Sequence, residues 1–234
     1  TAKAVGAIAR AERVVVVGDP RQLPPTSFFG SDFRDEEHPE IEDLESILDD
    51  CLAVGMPERH LLWHYRSHHE SLIAFSNAFF YDNRLLTFPS PSESDGRVSL
   101  CYVDGVYDRG GSKCNAAEAE ALVSDVIHRL RDPIGKTRSI GVVTFSASQQ
   151  AYVEDKLAKE IDRLGLQKEA YECAEPLFVK NLENVQGDER DVILFSVGYG
   201  PDKAGKLSLN FGPLNQAGGE RRLNVAATRA RMEM

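Results

Sequence analysis

Residues 140–149 read IGVVTFSASQ, an apolar run that gives way to small hydroxyl and amide side chains. The run is typical of a strand buried on both faces of a parallel sheet, and the hydroxyls after it indicate the start of a helix. Similar strand and helix patterns alternate along the chain, so the sequence predicts an α/β fold, a parallel sheet with helices on both faces. We expect strands at residues 13–17, 61–65, 98–103, 140–145, near 178 and at 191–197, with helices at residues 41–52, 70–80, 116–130, 148–164 and 220–230.

The chain has 234 residues, 42% of them hydrophobic, enough to bury the core of one large or two smaller domains. Its net charge of −10 argues against a nucleic-acid partner, because phosphates attract Lys and Arg. Ten acidic residues and one arginine lie at positions 31–50, however, so this segment alone has a net charge of −9. The remainder is close to neutral, which leaves room for a local groove that binds phosphates.

The four cysteines are widely scattered and lack the close pairs of zinc sites and redox motifs. We therefore expect reduced thiols and a cytoplasmic location. The longest apolar runs have the length of strands, far below the ~20 residues that span a bilayer, and no secretory leader is visible. A membrane partner is not expected.

Residues 55–57 (GMP) end the helix predicted at 41–52 and precede the regular alternation of strands and helices. We place a domain boundary there, between residues 1–58 and 59–234. Further along, Asn115 followed by Glu118 matches the N-terminal cap of a helix, which supports the start of the helix predicted at 116–130.

Residues 18–25 (GDPRQLPP) follow the first predicted strand, and their prolines prevent a helix. Asp19 and Gln22 are thereby held at the carboxyl edge of the sheet, where open α/β sheets bind ligands. A neutral amide such as Gln22 donates and accepts hydrogen bonds, which suits detection of a terminal phosphate or its attacking water. The alternative is a polar turn after a buried strand.

Residues 61–68 (LLWHYRSH) place Arg66 at the end of an apolar segment, just before a predicted helix rich in phenylalanine. For the aromatic side chains of this region we expect core packing rather than base stacking; they are Tyr65, Phe75, Phe79 and Phe80. For the histidines we expect surface or packing roles and no metal site, because no partner lies at ligand spacing; they are His64, His68 and His69.

Thr144 and Gln149 flank the junction between the strand and the helix of the opening segment, and helix N-termini bind phosphate well. A phosphate group is therefore one ligand that this junction could bind. The alternative is simple capping of the helix by Ser146 or Ser148.

In residues 183–193 (ENVQGDERDVI), Gly187 permits close approach of a ligand to the backbone. An amide, Gln186, precedes this glycine and carboxylates follow it. The alternative is a charged turn that leads into the strand predicted at 191–197.

Residues 220–231 (ERRLNVAATRAR) contain four arginines in a predicted helix. On a helix Arg222, Ala226 and Arg229 would share one face, opposite the small packing residues. A guanidinium stays charged and grips phosphate in a fork, so Arg229 is our candidate arginine finger. The alternative is a solvated basic helix.

Taken in order, these segments resemble motifs III to VI of superfamily 1 helicases, in the branch of the nonsense-mediated-decay helicase and its bacterial relatives. The resemblance covers residues 13–231. It implies that Gln22, Arg66 and Arg229 act in ATP hydrolysis, and that the nucleotide is bound by Asp19, Glu189, Arg66 and Arg229, with Glu189 on a ribose hydroxyl. It assigns contacts with the nucleic-acid backbone to Thr144, Gln149, Gln186 and Gly187.

Such helicases have two RecA-like domains, with ATP and Mg²⁺ between them and single-stranded DNA or RNA across their top. The resemblance implies that residues 1–58 end the first RecA-like domain, which is then a partner of the second one at 59–234. A glycine-rich loop with its Lys and Thr, and an acidic pair ahead of residue 18, are not found in this sequence. We expect a fragment of a longer enzyme that does not hydrolyse ATP alone, with a further strand cut at residue 234.

Two other classes of function stay open. One is a non-catalytic RecA-like module that binds nucleic acid or a protein, which a glycine-rich Lys-Thr or Lys-Ser loop upstream of residue 1 would argue against. The other is a carboxylate-based metal nuclease that uses the acidic residues between positions 32 and 50. A solvated acidic loop accounts for the same residues.

Overall fold

The computed structural model describes residues 2–23, 46–90 and 97–234. The chain divides into two compact units, Thr1–Leu61 and Leu62–Met234. In the described ranges, no helix has both the length and the apolar character needed to cross a bilayer.

Among its described residues, the smaller unit contains two short helices, α1 (Ala2–Ile8) and α2 (Ile47–Ala53). The Ser46 hydroxyl caps α2 by accepting a hydrogen bond from the Asp49 amide. Residues 13–17 are not the buried strand that we predicted, since Val15 is 86% exposed and Val17 78% exposed. A strand needs a hydrogen-bonding neighbour, and the described part of this unit contains none. The first half of the helix predicted at 41–52 lies outside the described residues.

The larger unit is an α/β domain with a single four-stranded sheet. The strand order is β2-β1-β3-β4, and every neighbouring pair is parallel, so the predicted fold class is confirmed. Its elements are α3 (Ser71–Phe80), α4 (Ala116–Arg131), β1 (Ile140–Thr144), α5 (Ala147–Leu164), α6 (Gln167–Tyr171), β2 (Phe178–Asn181), β3 (Arg190–Ser196), α7 (Gly219–Ala227) and β4 (Ala230–Glu233), with 3-10 turns at Gly135–Thr137 and Gly212–Asn215.

Strand β1 forms the centre of the core. Val142 and Val143 point to opposite faces of the sheet, and neither has exposed surface. Helices α4 and α5 bury their apolar sides with β1 and β3 in one cluster, while α3 packs against α7 and β4. Gly141 is needed in β1 because a Cβ there would lie 2.5 Å from the Phe178 ring. This tight packing explains why an apolar run of this length becomes an inner strand.

The predicted helix starts are confirmed in α4 and α5. Asn115 caps α4 by accepting from the Glu118 amide at 3.3 Å. Ser146 caps α5 by accepting from the Gln149 amide at 3.2 Å, and α5 ends at Gly165 in the left-handed conformation. Helix α5 therefore begins just past the carboxyl end of β1, and Gln149 joins the start of α4 to the carboxyl end of β3 through Asn115 and Ser196.

Two other predicted strands are wrong in extent. Within residues 61–65 only Trp63 pairs, through an isolated parallel bridge to Leu86. Residues 98–103 are mostly exposed. In this region, the Ser99 amide donates to the carbonyl of Met234, the residue after β4, at 2.9 Å, and the Met234 amide donates to the Arg97 carbonyl at 2.7 Å. No layer of the described structure covers these side chains, so an apolar pattern alone did not make them inner strands.

Candidate functional site

Two predicted nucleotide-binding residues from distant segments form an ion pair. The Arg66 Nε donates to Glu189 Oε2 at 2.6 Å, and the Arg66 Nη1 donates to the Thr228 carbonyl at 3.5 Å. The hydrogen bond from Arg66 is the main reason that the pKa of Glu189 is lower than its ordinary value. Glu189 is therefore ionised at neutral pH, and it holds Arg66 beside the end of α7.

Arg229 is only 4% exposed, and the charges of both Arg66 and Glu189 act on it. Its Nε donates to the Val225 carbonyl at 2.7 Å and its Nη2 to Thr228 Oγ1 at 2.9 Å. Burial, followed by the positive charge of Arg66, lowers the pKa of Arg229 to about 10. The guanidinium is still protonated at neutral pH, so it adds a buried positive charge near that of Arg66, while the carboxylates of Glu189 and Asp188 attract it from a longer distance.

The predicted position of Arg229 on a projecting helix face is wrong. Helix α7 ends at Ala227 and Thr228 caps it, so Arg229 lies in the turn before β4. Its side chain folds back on the last turn of α7 instead of extending into solvent. Arg222 does lie on α7, but it donates to the Ala217 carbonyl at 3.2 Å and lies 3.6 Å from Glu183.

The segment that carries Arg66 is fixed on β4 by its backbone. The His68 amide donates to the Arg231 carbonyl at 2.8 Å, and the Ser67 hydroxyl donates to the Ala230 carbonyl at 3.3 Å. The Ser67 hydroxyl also lies 2.9 Å from the His64 Nε2, and burial lowers the pKa of His64. These contacts set the direction from which Arg66 reaches Glu189.

The prediction of core packing for the nearby aromatic side chains is wrong for three of them. Tyr65 is 83% exposed, Phe79 74% and Phe75 39%, whereas Phe80 is partly buried. Phe75 packs against Phe79 with ring centroids 5.0 Å apart. Tyr65 precedes Arg66 in the chain and exposes its ring, so it is a candidate functional residue. The sequence pattern had assigned it to the core.

Thr144 and Gln149 lie in the interior, where neither has measurable exposure. The Gln149 Oε1 accepts from the Asn115 amide at 2.9 Å, and its Nε2 donates to the Asn115 carbonyl at 3.2 Å and to Ser196 Oγ at 3.1 Å. Of the two capping candidates it is Ser146 that caps α5. Direct contact of Thr144 or Gln149 with nucleic acid stays a prediction, and it would require these buried side chains to become accessible.

Gln186 and Gly187 are exposed in the turn before β3. Gly187 has a φ of +93°, and a Cβ at this position would meet no atom within 4 Å. The conformation, rather than crowding, therefore explains the glycine. Next to it, Asp188 is paired with Lys180 at 2.5 Å.

In the smaller unit, Asp19 and Gln22 form a polar turn. The Gln22 Nε2 donates to Asp19 Oδ2 at 2.8 Å, and the Arg21 amide donates to Asp19 Oδ1 at 2.9 Å. This arrangement matches the turn that the sequence offered as an alternative, and the expected role of both residues at a nucleotide stays a prediction.

The sequence reasoning gave no role to Arg231, whose guanidinium lies in a carboxylate cluster. Its two terminal nitrogens bind both oxygens of Glu175, and its Nε donates to Asp191 Oδ1 at 3.0 Å. A further contact joins the Arg231 Nη1 to Glu189 Oε1 at 3.6 Å.

Metal binding has little support in the described residues. They contain no group of three His, Cys, Asp or Glu side chains placed to hold an ion. Most of the acidic segment at 31–50, on which the nuclease alternative depends, lies outside the described ranges.

The parallel four-stranded sheet with its flanking helices has the architecture of an α/β RecA-like helicase domain. A family model described as an AAA domain matches residues 44–234. The chain belongs to this family and to the superfamily 1 helicases of the nonsense-mediated-decay and senataxin type.

Relatives with helicase names match nearly the whole chain. An uncharacterized ATP-dependent helicase of Mycoplasma genitalium is 34% identical over 99% of this chain and 21% of its own length. The DNA polymerase alpha-associated DNA helicase A of Saccharomyces cerevisiae is 25% identical over 95% of the chain and 33% of its length. The probable helicase senataxin of Homo sapiens is 24% identical over 97% of the chain and 8% of its length. The chain thus spans about a fifth of the length of the Mycoplasma relatives.

Proposed function

We propose that this chain is part of an ATP-dependent superfamily 1 helicase or translocase that acts on single-stranded DNA or RNA. Residues 59–234 are its second RecA-like domain, and residues 1–58 contain the end of the first one. The chain supplies arginines to an ATP site shared with the first domain, together with part of the surface that binds the nucleic-acid strand.

The observation that supports this proposal most is the unequal charge of the Arg66, Arg229 and Glu189 cluster. Glu189 pairs with Arg66, while Arg229 is bonded to neutral oxygens and forms no ion pair among the described residues. Keeping a guanidinium buried with no carboxylate at ion-pair distance is costly, and a phosphate would supply a close counter-charge. Such a site is suited to the terminal phosphate of ATP, whose negative charge spreads during transfer.

Of the two arginines, Arg66 is the more accessible and would contact the phosphate directly. The Arg66 side chain is 25% exposed, whereas Arg229 is buried and would stabilise the phosphate charge from the interior. Tyr65, the residue before Arg66, has an exposed ring that could stack on a nucleobase. Glu189 would offer its carboxylate to a ribose hydroxyl. Gln22 and Asp19 would act from the first domain.

Mg²⁺ would accompany ATP and neutralise part of its phosphate charge. The described residues contain no group of three metal ligands, and we assign none of them to the metal. The role of this chain is then to bring guanidinium groups to the phosphates when the two domains close.

For the nucleic acid, the exposed turn at Gln186 and Gly187 is the best-placed part of the chain. Its backbone is open to a ligand because no side chain covers Gly187. Gln149 would act indirectly, since it ties the start of α4 to the end of β3 through Asn115 and Ser196.

The test is Arg66→Ala in the full-length protein, assayed for ATPase activity with and without single-stranded DNA and RNA. We expect a loss of about 10³-fold or more in stimulated turnover, as for arginines that contact a transferring phosphoryl group. Arg163→Ala is the matched control, because Arg163 pairs with Glu160 on the exposed side of α5. Unchanged turnover in Arg66→Ala would refute the proposal. Strand binding without any ATPase in the wild type would favour the non-catalytic module.

A further inference from the structure

Arg231 joins three carboxylates around one guanidinium. Glu175 binds it in a fork, Asp191 accepts from its Nε at 3.0 Å, and Glu189 Oε1 lies 3.6 Å from its Nη1. The hydrogen bonds to Arg231 are the main reason that the pKa of Glu175 falls to about 2. Arg231 is therefore strongly held by Glu175 and Asp191, and it meets Glu189 only at longer range.

Glu189 is consequently shared between two arginines. Its Oε2 accepts from Arg66 at 2.6 Å, and its Oε1 faces Arg231. The backbone of Arg231 also carries the segment of Arg66, because its carbonyl accepts from the His68 amide at 2.8 Å. Arg231 thus contacts Glu189 through its side chain and, through its backbone, the segment that carries Arg66.

We infer that Arg231 is a positioning residue that takes over Glu189 when Arg66 turns toward the terminal phosphate of ATP. The inference rests on the proposed function, in which Arg66 binds that phosphate. If Arg66 left alone, Glu189 would lose its close counter-charge in a partly buried place. Arg231 is already 3.6 Å away and has five N–H donors, so a small side-chain movement would replace the lost partner. The strength with which Glu175 holds Arg231 then sets how easily Arg66 is released.

Two substitutions should move the affinity for ATP in opposite directions. Glu175→Gln removes one negative charge from Arg231, which draws Arg231 toward Glu189 and releases Arg66. Arg231→Lys removes the fork and leaves Glu189 dependent on Arg66. In the full-length protein we expect Glu175→Gln to tighten binding of a non-hydrolysable ATP analogue with Mg²⁺ by about two- to fivefold, and Arg231→Lys to weaken it similarly.

The comparison with ADP makes the measurement specific. ADP lacks the phosphate that competes for Arg66, so its Kd with Mg²⁺ should change by less than about twofold in either variant. Glu160→Gln and Arg163→Lys, at the exposed pair on α5, are controls that should leave both affinities unchanged. A structural role of Arg231 would instead weaken both nucleotides in both variants.

The outcomes separate this inference from the proposed function. If Arg66→Ala abolishes stimulated ATPase but the two variants shift the analogue in the same direction, or not at all, Arg231 does not position Glu189. If Arg66→Ala leaves turnover unchanged, the proposed site itself is wrong. Opposite shifts confined to the ATP analogue would support both.

Discussion

Replacing Arg229 by methionine removes a buried positive charge while keeping an unbranched side chain of similar length. A pKa lowered from 12.5 to about 10 means that burial disfavours the charged guanidinium by about 3 kcal/mol. The substitution also removes two hydrogen bonds, to Val225 O and Thr228 Oγ1, each worth about 1.5 kcal/mol with a charged donor. The two effects nearly cancel, so the free energy of unfolding should change by less than about 2 kcal/mol.

Catalysis should respond very differently. If Arg229 stabilises the phosphate charge, Arg229→Met should lower strand-stimulated ATPase of the full-length protein by about 10³- to 10⁵-fold. Thermal unfolding should show a shift in Tm of no more than about 8 °C, given about 2–4 °C per kcal/mol for a domain of this size. Both quantities are measured on the same preparation, with Arg163→Met as the exposed control. Retained ATPase in a folded variant would refute the catalytic role, and a loss of stability above about 4 kcal/mol would refute the charge argument.

Three further predictions concern stability. Gln149→Leu leaves the buried backbone N–H and C=O of Asn115 without their partner, so it should destabilise the larger unit by about 2–4 kcal/mol, measured by urea unfolding. The control Gln167→Leu, at an exposed glutamine, should have little effect on the free energy of unfolding. Gly187→Ala should cost about 1–2 kcal/mol because of its positive φ, without a steric clash; an unchanged midpoint would show that the turn relaxes. The Glu175–Arg231 pair, whose carboxylate has a lowered pKa, should stabilise fully above about pH 4.5 and be lost as the pH falls toward 2. With Glu175 35% exposed we expect about 1 kcal/mol, measured as the difference between wild type and Glu175→Gln at pH 7 and at pH 3.

The helices of the larger unit were predictable because their signals are local. Asn115 and Ser146 cap α4 and α5 through hydrogen bonds to residues three positions on, and Gly165 ends α5 in the conformation that favours glycine. The inner strands β1 and β3 were predictable for a similar reason, since each is a continuous apolar run bounded by polar residues.

The wrong strands show where local pattern fails. Residues 13–17 and 98–103 have β-branched or alternating apolar residues, but exposure of Val15 and Leu100 shows that nothing covers them within their units in the described structure. A strand is stable only when another strand accepts its hydrogen bonds and another layer covers its side chains. Neither condition is written in the strand's own sequence.

The sequence by itself determined the order of elements and the kinds of residue available for chemistry. Arg66, Glu189 and Arg229 were all singled out from the chain because the segments that contain them resemble motifs IV, V and VI of superfamily 1 helicases. The tertiary structure decided which side chains meet and where they lie. It places Glu189 between Arg66 and Arg231 and buries Gln149 in the core, and Arg229 lies in the turn before β4 rather than on α7. The physical reason is that an ion pair or a buried hydrogen bond depends on distances between segments far apart in the chain, 123 residues for Arg66 and Glu189 and 34 for Gln149 and Asn115, and only the folded structure sets these distances.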